Sequence, residues 1–159
     1  MAASDHGKAG DHSDALMVHS VEKAFRILNA FSPATPALTL TDLIEVTGMD
    51  KSAVQRFTHT LSRLGYLRKD PRTKQYELGV RVLDLGAKFT GANRLIDRAM
   101  PFLQHLSRET DETVSLSVLD NTEIVFIARF INRHILHTNV VVGTRLPAYC
   151  TAPGRAMLA

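Results

Sequence analysis

Residues 39–64, which read TLTDLIEVTGMDKSAVQRFTHTLSRL, decide the fold of this chain of 159 residues. Thr39 with an aspartate three positions later is typical of a capping box, which predicts a helix that starts here and stops at Gly48. A second helix is predicted over residues 51–64, with Asp50 as its N-cap. A connection this short that contains a glycine is what a helix-turn-helix requires.

Segments on either side of this motif extend the pattern. Apolar residues recur at three- and four-residue steps from Val21 to Phe31, and Ser20 is the predicted N-cap of this first helix. After the motif, residues 66–68 and 75–78 are two short strand-like runs joined by a turn. Three helices followed by a β-hairpin are the order of a winged helix-turn-helix.

The positive charge of the chain is concentrated in the same region. The formal net charge is +3, but residues 50–77 contain seven basic and three acidic side chains, against 12 basic and 13 acidic ones elsewhere. Such a run is commonly no more than a solvated face, but a local excess is also what a phosphate-binding surface needs. The pattern of the third helix and of the hairpin therefore has to decide between these interpretations.

The third predicted helix separates an apolar face from a polar one. The residues expected to face the core are Val54, Phe57, Leu61 and Leu64. The outward face then carries Lys51, Ser52, Gln55, Arg56 and His59. These side-chain types bind base edges and phosphates, and one α-helix fits the major groove of DNA. The alternative is an amphipathic surface helix whose outer face is merely polar.

The hairpin carries four basic side chains around its tip, namely Arg68, Lys69, Arg72 and Lys74. A wing with this charge can lie across the phosphate backbone or enter a minor groove, and it adds affinity without reading sequence. A hairpin that merely solubilises the chain is the alternative for any one of these residues. It explains all four together less well.

The character of the sequence changes after the hairpin. Helices are predicted over residues 80–91 and 95–109, and Pro101 is expected to kink the second of them or to start a new turn. Three strands are predicted to follow, over residues 113–119, 123–130 and 137–142. The sequence therefore predicts an α+β fold with a second domain behind the winged helix-turn-helix.

Composition argues against several other classes of protein. Hydrophobic residues make up 45% and charged residues 22% of the chain, unlike a wholly disordered or a fibrous protein. Because no run of 18 uncharged apolar residues occurs and the first 16 residues lack the features of a signal peptide, we expect a cytoplasmic protein without a membrane span. The single cysteine, Cys150, allows no intrachain disulfide and is expected to be a buried small hydrophobe.

Sequence motifs for catalysis and metal binding are missing. The HExxH, CxxC, GxSxG and P-loop patterns do not occur in the chain. His134 and His137 lie three residues apart in a strand-like stretch and are expected to point to opposite faces, which disfavours a shared metal ion. We therefore expect no catalytic residue, no metal site and no cofactor.

Several motifs along residues 18–159 resemble those of IclR-type bacterial transcriptional regulators. They include residues 18–28, 40–43, 47–52, 64–66, 76–79, 99–103, 112–114, 142–147 and 151–159. The resemblance implies a winged helix-turn-helix, a linker helix and a GAF-like α/β domain that binds a small effector, often an organic acid. Residues 25–33 and 149–154 look similar to the regulators of aromatic-acid catabolism within this family.

The resemblance also implies domain limits and an effector site. The expected organisation is a mobile tail over 1–16, the DNA-binding domain over 17–79, the linker helix over 80–93, and a truncated effector-binding domain over 94–159. Backbone groups and a hydroxyl near the start of a helix would hold the effector carboxylate, and an ordinary helix cap is the alternative. The candidate effector-binding residues are Thr151, Ala152, Gly154, Arg129 and Arg145, although surface ion pairing is the commoner fate of an arginine.

Three functional hypotheses remain at this point. The first is a dimeric or tetrameric regulator that binds double-stranded operator DNA and responds to a small molecule, with Val80, Leu83 and Phe89 in the candidate contact surface between copies. The second is an enzyme that binds a metabolite, for which the sequence offers no nucleophile–base pair. The third is a helix-turn-helix that binds only other proteins, in which case Arg56 and the basic wing would be dispensable.

Overall fold

The computed structural model describes residues 16–131 and 140–159. They form two compact units, of which the first ends at Leu83 and the second begins at Asp84. The two histidines considered for metal binding, His134 and His137, lie outside the described residues.

The first unit combines three helices with a small antiparallel sheet. Its helices are α1 (His19–Leu28), α2 (Leu40–Thr47) and α3 (Lys51–Arg63). Its strands are β1 (Ala37–Leu38), β2 (Leu67–Lys69) and β3 (Tyr76–Leu78), in the order β1-β3-β2. The strands β2 and β3 form the predicted hairpin, and β1 adds a third strand on its other side.

Local hydrogen bonds fix the start of α2 and of α3, as predicted. Thr39 Oγ1 accepts a hydrogen bond from the Asp42 amide at 3.2 Å, and the Asp42 carboxylate accepts one from the Thr39 amide at 2.8 Å. The amide of Thr39 holds the pKa of Asp42 below its ordinary value. Gly48 ends α2 with a φ of +65°, and the Asp50 side chain accepts a hydrogen bond from the Ala53 amide at 2.9 Å.

The core of the first unit lies where all three helices meet the sheet. Eight buried side chains form it, contributed by every helix and by every strand of this unit, with one from the turn between α2 and α3. They are Ile27, Leu38, Leu43, Met49, Val54, Leu61, Leu67 and Tyr76. The non-polar area that they remove from water stabilises the arrangement in which α3 lies across the other two helices.

The second unit places helices beside another three-stranded antiparallel sheet. Its helices are α4 (Val82–Ala92, starting at the end of the first unit), α5 (Arg94–Thr110) and α6 (Ala152–Leu158). Its strands are β4 (Val114–Asp120), β5 (Glu123–Phe130) and β6 (Arg145–Pro147), in the order β4-β5-β6. A short 3-10 turn, Ala148–Cys150, connects β6 to α6. The buried cluster consists of Ile96 from α5 and of Ile127 and Ala128 from β5.

One helix prediction is wrong, and one of the two alternatives given for Pro101, a fresh helical start, is excluded. Helix α1 follows Val18, whose carbonyl accepts hydrogen bonds from the amides of Val21 and Glu22, so Ser20 lies inside the first turn and is not the N-cap. Pro101 neither restarts nor divides α5, which runs through it. A proline removes only one amide donor, and since Pro101 is exposed, water can reach the carbonyl that loses its partner.

The third predicted strand and Cys150 also differ from expectation. Of the strand predicted over residues 137–142, the structure describes residues 140–142, and these form no strand. The third strand of this sheet is β6, which begins at Arg145. A turn precedes it, in which the Thr144 amide donates to the Val141 carbonyl at 3.0 Å. Cys150 is exposed, because it belongs to the short turn between the edge strand β6 and α6 and not to a core-facing strand.

Candidate nucleic-acid interface

Helix α3 presents a polar face that the rest of the first unit leaves exposed. Its buried residues are Val54, Thr58 and Leu61, which recur at helical spacing and point into the core. The five residues predicted for the outward face are all exposed, namely Lys51, Ser52, Gln55, Arg56 and His59. The structure thus brings these five side chains together on one helix surface.

The core-facing side of α3 differs in detail from the prediction. Leu64 follows the helix as its C-cap and is 48% exposed, and Phe57 is half-buried. Thr58 takes a fully buried position, since its hydroxyl donates to the carbonyl of Val54 at 2.8 Å and so carries its own hydrogen bond into the core. This rotation of the buried face leaves the outward set unchanged.

The electrostatics of this surface favour an anion. The segment of α3 contains no acidic residue, and the nearby carboxylate of Asp50 is already engaged by the Ala53 amide at the helix start. The N-terminal end of a helix also carries partial positive charge, which lies beside Lys51 and Ser52. A helix with this face can dock into a groove flanked by phosphates and donate hydrogen bonds to base edges.

Backbone hydrogen bonds shape the tip of the wing, which is the turn between β2 and β3. The Asp70 carboxylate accepts hydrogen bonds from the amides of Arg72 at 2.7 Å and Thr73 at 3.3 Å, and these bonds hold the pKa of Asp70 below its ordinary value. The amide of Lys74 donates to the Asp70 carbonyl at 2.9 Å. The tip is therefore an ordered turn that holds its basic side chains apart.

The four basic residues of the wing fall into two pairs. Arg68 forms an ion pair with Glu77 on the neighbouring strand at 2.6 Å, and this bond raises the pKa of the Arg68 guanidinium. The ammonium of Lys69 lies 5.1 Å from the centre of the Tyr76 ring. Within the described part of the chain, Arg72 and Lys74 form no ion pair and are exposed. These two are the side chains most available to a phosphate.

A cleft between α1 and α3 adds residues that sequence reasoning missed. It has a volume of about 520 Å³, and it is lined by residues that include Ser20 and Lys23 from α1 and Arg56 and Thr60 from α3. Lys23 occupies a solvent-facing position of an amphipathic helix, where a lysine is commonplace, so its position in the sequence does not indicate a role in binding. Only the packing of α1 against α3 brings its charge beside the outward face.

The residues predicted for the effector serve structural roles in the second unit. Thr151 is the N-cap of α6, where its hydroxyl oxygen accepts a hydrogen bond from the Gly154 amide at 3.3 Å and lies 3.2 Å from the Pro147 carbonyl. Gly154 is buried, and a Cβ added there would lie 2.2 Å from the Ala148 carbonyl oxygen. Ala152 is the first residue of α6 and is exposed. This geometry matches the ordinary helix cap left open above.

The two candidate arginines lie on neighbouring strands but do not converge. Arg145 lies between the carboxylates of Asp120 and Glu123, with its Nε 2.8 Å from Glu123, and the Asp120 bond raises the pKa of its guanidinium most. Arg129 is half-buried on β5, four residues from the position that pairs with Arg145, which is about 13 Å along a strand. An anion at Arg145 would have to compete with two carboxylates.

Among residues 16–131 and 140–159, no group of three or more histidine, cysteine, aspartate or glutamate side chains is placed to hold a metal ion. Over the same two ranges, none of the helices has the length and apolar character needed to cross a bilayer.

Comparison with known proteins decides the family. Residues 20–71 match the IclR helix-turn-helix domain, and residues 87–159 match the C-terminal domain of the bacterial transcriptional regulator IclR. The chain belongs to the IclR family. This is a family of DNA-binding transcriptional regulators and not of enzymes, which confirms the predicted family, the predicted class of protein and the fold class of a helix-turn-helix followed by an α/β domain.

Individual relatives agree with this assignment. The chain is 34% identical over 141 residues to the Pca regulon regulatory protein of Pseudomonas putida. The aligned region covers 88% of this chain and 48% of that protein. It resembles the crystal structure of an IclR family transcriptional regulator from Brucella abortus with a TM-score of 0.78 and 27% identity, over 96% of this chain and 58% of that one.

A further solved structure shares the fold. It is an IclR homolog from Microbacterium hydrocarbonoxydans complexed with 4-hydroxybenzoate, with a TM-score of 0.73 and 23% identity over 87% of this chain and 57% of that one. The chain spans about half the length of the curated relatives that it matches.

Proposed function

We propose that this chain binds double-stranded operator DNA in a sequence-specific manner, with α3 in the major groove. The observation that carries the proposal is the exposed face of Lys51, Ser52, Gln55, Arg56 and His59, opposite the buried positions of the same helix. The side chain of Arg56 suits guanine and that of Gln55 suits adenine, because each can form two hydrogen bonds to the edge of that base. A helix-turn-helix that binds only proteins has no need of these residue types together.

The remaining basic residues act on the phosphate backbone. Arg72 and Lys74 at the tip of the wing reach one strand of the duplex, and Lys23 at the α1–α3 cleft supplies a cation on another side of the reading helix. Phosphate contacts fix the register of a protein on DNA and carry no direct sequence information. Arg68 and Lys69 support the wing through Glu77 and Tyr76 and contribute less to binding.

The functional form is a homo-oligomer, a dimer or a tetramer, in which two copies read paired half-sites. One helix-turn-helix contacts too few base pairs to select a site from a genome. The apolar residues of the predicted contact surface are exposed within the described structure, with Val80 at 81%, Leu83 at 70% and Phe89 at 53%. Leu83→Glu is expected to yield folded monomers with weaker operator binding in sedimentation and titration, and an unchanged oligomer would contradict this surface.

The effector is an organic acid, and an aromatic acid is the first to test. The family membership and the α6 N-terminus, where Thr151 and the Ala152 amide lie, support this choice. In a thermal shift series, 4-hydroxybenzoate is expected to raise the melting temperature with the logarithm of its concentration above Kd, and 4-hydroxybenzyl alcohol, which lacks the carboxylate, is the control. Equal shifts with both compounds would contradict carboxylate recognition.

Selection from a random duplex library tests the DNA-binding proposal directly. The chain is expected to enrich an inverted repeat whose half-sites lie about one helical turn apart, or a multiple of it. Titration of the enriched duplex at several salt concentrations should show a log-affinity that falls linearly with log salt, as phosphate contacts require. A library that returns no enriched sequence would overturn the proposal and favour the protein-interaction hypothesis.

We also propose that the protein acts in the cytoplasm, where its operator DNA lies.

A further inference from the structure

The segment that enters α4 is fastened to the C-terminal end of α3. The Arg81 Nη1 donates a hydrogen bond to the Leu64 carbonyl at 3.0 Å, and the amide of Gly79 donates one to the Tyr66 carbonyl at 2.8 Å. The guanidinium carbon of Arg81 also lies 5.9 Å from the centre of the Tyr66 ring. All three contacts involve Leu64 or Tyr66, the residues on either side of Gly65, which follow α3 directly.

The backbone at Gly79 lies too close to the backbone of Gly65 for residue 79 to carry a side chain. Gly65 has a φ of +80°, a left-handed conformation that favours glycine. A Cβ added at Gly79 would lie 2.1 Å from the Gly65 carbonyl oxygen. The side chain of Arg81 covers Gly65 from the other side, with its Cδ 3.5 Å from the place where a Gly65 Cβ would be. The segment is therefore held in one register against the end of α3.

Arg81 completes the cap of the DNA-reading helix. The turn after α3 is a Schellman motif, in which the Tyr66 amide donates to the Leu61 carbonyl at 2.9 Å and the Gly65 amide donates to the Ser62 carbonyl at 3.1 Å. The Leu64 carbonyl is left for Arg81. A cation is favourable there, since the C-terminal end of a helix carries partial negative charge.

Helix α4 starts directly from this cap. The amide of Val82 donates to the Gly79 carbonyl at 3.1 Å, and the amide of Leu83 donates to the Val80 carbonyl at 3.0 Å. These bonds form the first turn of α4 on the residues that Arg81 and Gly79 hold against α3.

We propose that Arg81 is a positioning residue for operator recognition. It holds residues 79–83 against the C-terminus of α3 and so fixes the end of the helix whose outward face carries Gln55 and Arg56. Arg81 does not contact DNA in this arrangement, because its guanidinium is engaged by Leu64 and Tyr66. This inference rests on the proposed DNA-binding function and adds a residue outside α3 that positions the reading helix.

Two substitutions and one matched control test the role of Arg81 in the full chain. The variants are Arg81→Ala and Arg81→Lys, and Arg98→Ala removes the same charge from an exposed position of α5. Affinity for the selected duplex is measured at several salt concentrations, amide hydrogen exchange is measured at Gly79, Val82 and Leu83, and circular dichroism establishes that each variant is folded.

Arg81→Ala is expected to bind the duplex roughly three- to tenfold more weakly, since it loses a charge-assisted hydrogen bond that positions α3. The slope of log-affinity against log salt is expected to stay at the wild-type value, because no phosphate contact is lost. Exchange at Gly79 and Val82 should become faster. Arg81→Lys should recover part of the affinity through its own bond to Leu64, and Arg98→Ala should match the wild type.

Three results would overturn the inference, and they are distinguishable. A slope reduced by about 0.9 in Arg81→Ala would show that Arg81 contacts a phosphate directly. Wild-type affinity together with wild-type exchange would show that the junction does not position α3. Should Arg81→Ala unfold, affinity and amide exchange in Arg81→Lys decide, and wild-type values of both would overturn the inference. If the wild-type chain itself binds no duplex, the proposed function fails first and the positioning role fails with it.

Discussion

The two compact units differ in how completely they bury their apolar side chains. In the first unit, eight buried residues from three helices and three strands form one cluster. In the second unit, the corresponding cluster has three buried members, Ile96, Ile127 and Ala128, and Ile124 and Ala148 are buried outside it. Exposed large apolar side chains occur in both units, with Val80 at 81% and Leu83 at 70% at the end of the first, and Phe102 at 75% and Leu95 at 51% on α5 of the second.

The spacing along α5 explains this difference. Ile96 and Leu103 pack against the sheet, whereas Leu95, Phe102 and Leu106 lie on a neighbouring stripe that no described element of the unit covers. An apolar helix stripe of this kind is normally buried against a further element. Among the described residues, the first unit therefore buries more of its apolar side chains in one cluster than the second unit does.

Separate expression of the two units gives the largest expected contrast. Residues 17–83 alone are expected to unfold in one cooperative thermal transition, because their core is complete. Residues 84–159 alone are expected to bind the dye ANS and to self-associate, because the α5 stripe stays exposed. Circular dichroism, dye fluorescence and gel filtration measure these properties. A cooperative transition without dye binding in the second fragment would break the comparison.

Substitutions in the two cores sharpen the same contrast. Leu43→Ala in α2 is expected to cost about 2–5 kcal/mol in the free energy of unfolding, because Leu43 is fully buried among close-packed neighbours. Ile127→Ala in β5 should cost about 2 kcal/mol or less, since the surroundings of a small cluster can relax into the cavity. Urea titration measures both values.

Val46→Ala provides the control for the first of these substitutions. Val46 lies in the same helix as Leu43 but is 62% exposed, so its truncation should change stability by about 0.5 kcal/mol or less. Equal losses for Leu43→Ala and Val46→Ala would mean that the core of the first unit is not packed as described.

The first unit was also the part that its sequence predicted better, because its signals are local. The capping box at Thr39, the stop at Gly48 and the N-cap at Asp50 each involve residues within four positions of one another. By contrast, β1 at Ala37–Leu38 pairs with β3 about 40 residues later and is two residues long, too short for any alternation to show. A strand that is formed only by distant pairing leaves little trace in its own sequence.

The candidate site was predictable to the extent that helix periodicity determines it. The outward residues of α3 follow from the 3.6-residue period, but the burial of Thr58 depends on a hydroxyl bond to its own helix, which the apolar pattern does not reveal. Strand register places Arg68 and Lys69 beside Glu77 and Tyr76 of the neighbouring strand, and it leaves Arg72 and Lys74 available to a phosphate. Charge counting treats these four residues alike.

Arg56→Ala tests whether sequence reading resides in the first unit. The substitution is expected to cost about 1–3 kcal/mol of binding free energy for the selected duplex and to relax the preference at one base pair. The reason is the loss of a paired hydrogen bond to a base edge at the centre of the exposed α3 face. Library selection with the variant measures the preference, and Arg98→Ala in the second unit is the control. An unchanged base preference would contradict the assignment of Arg56.

The smallest expected effect separates the two halves of the wing. The double variant Arg72→Ala/Lys74→Ala should lower the slope of log-affinity against log salt by about 0.9 for each phosphate contact removed. The double variant Arg68→Ala/Lys69→Ala removes the same formal charge, but we expect a smaller change in slope, because Glu77 and the Tyr76 ring already engage these two cations. Salt titrations of both variants on one duplex make the comparison. Equal reductions would show that binding to DNA releases Arg68 from Glu77, and that the pairing seen within the first unit does not persist on the operator.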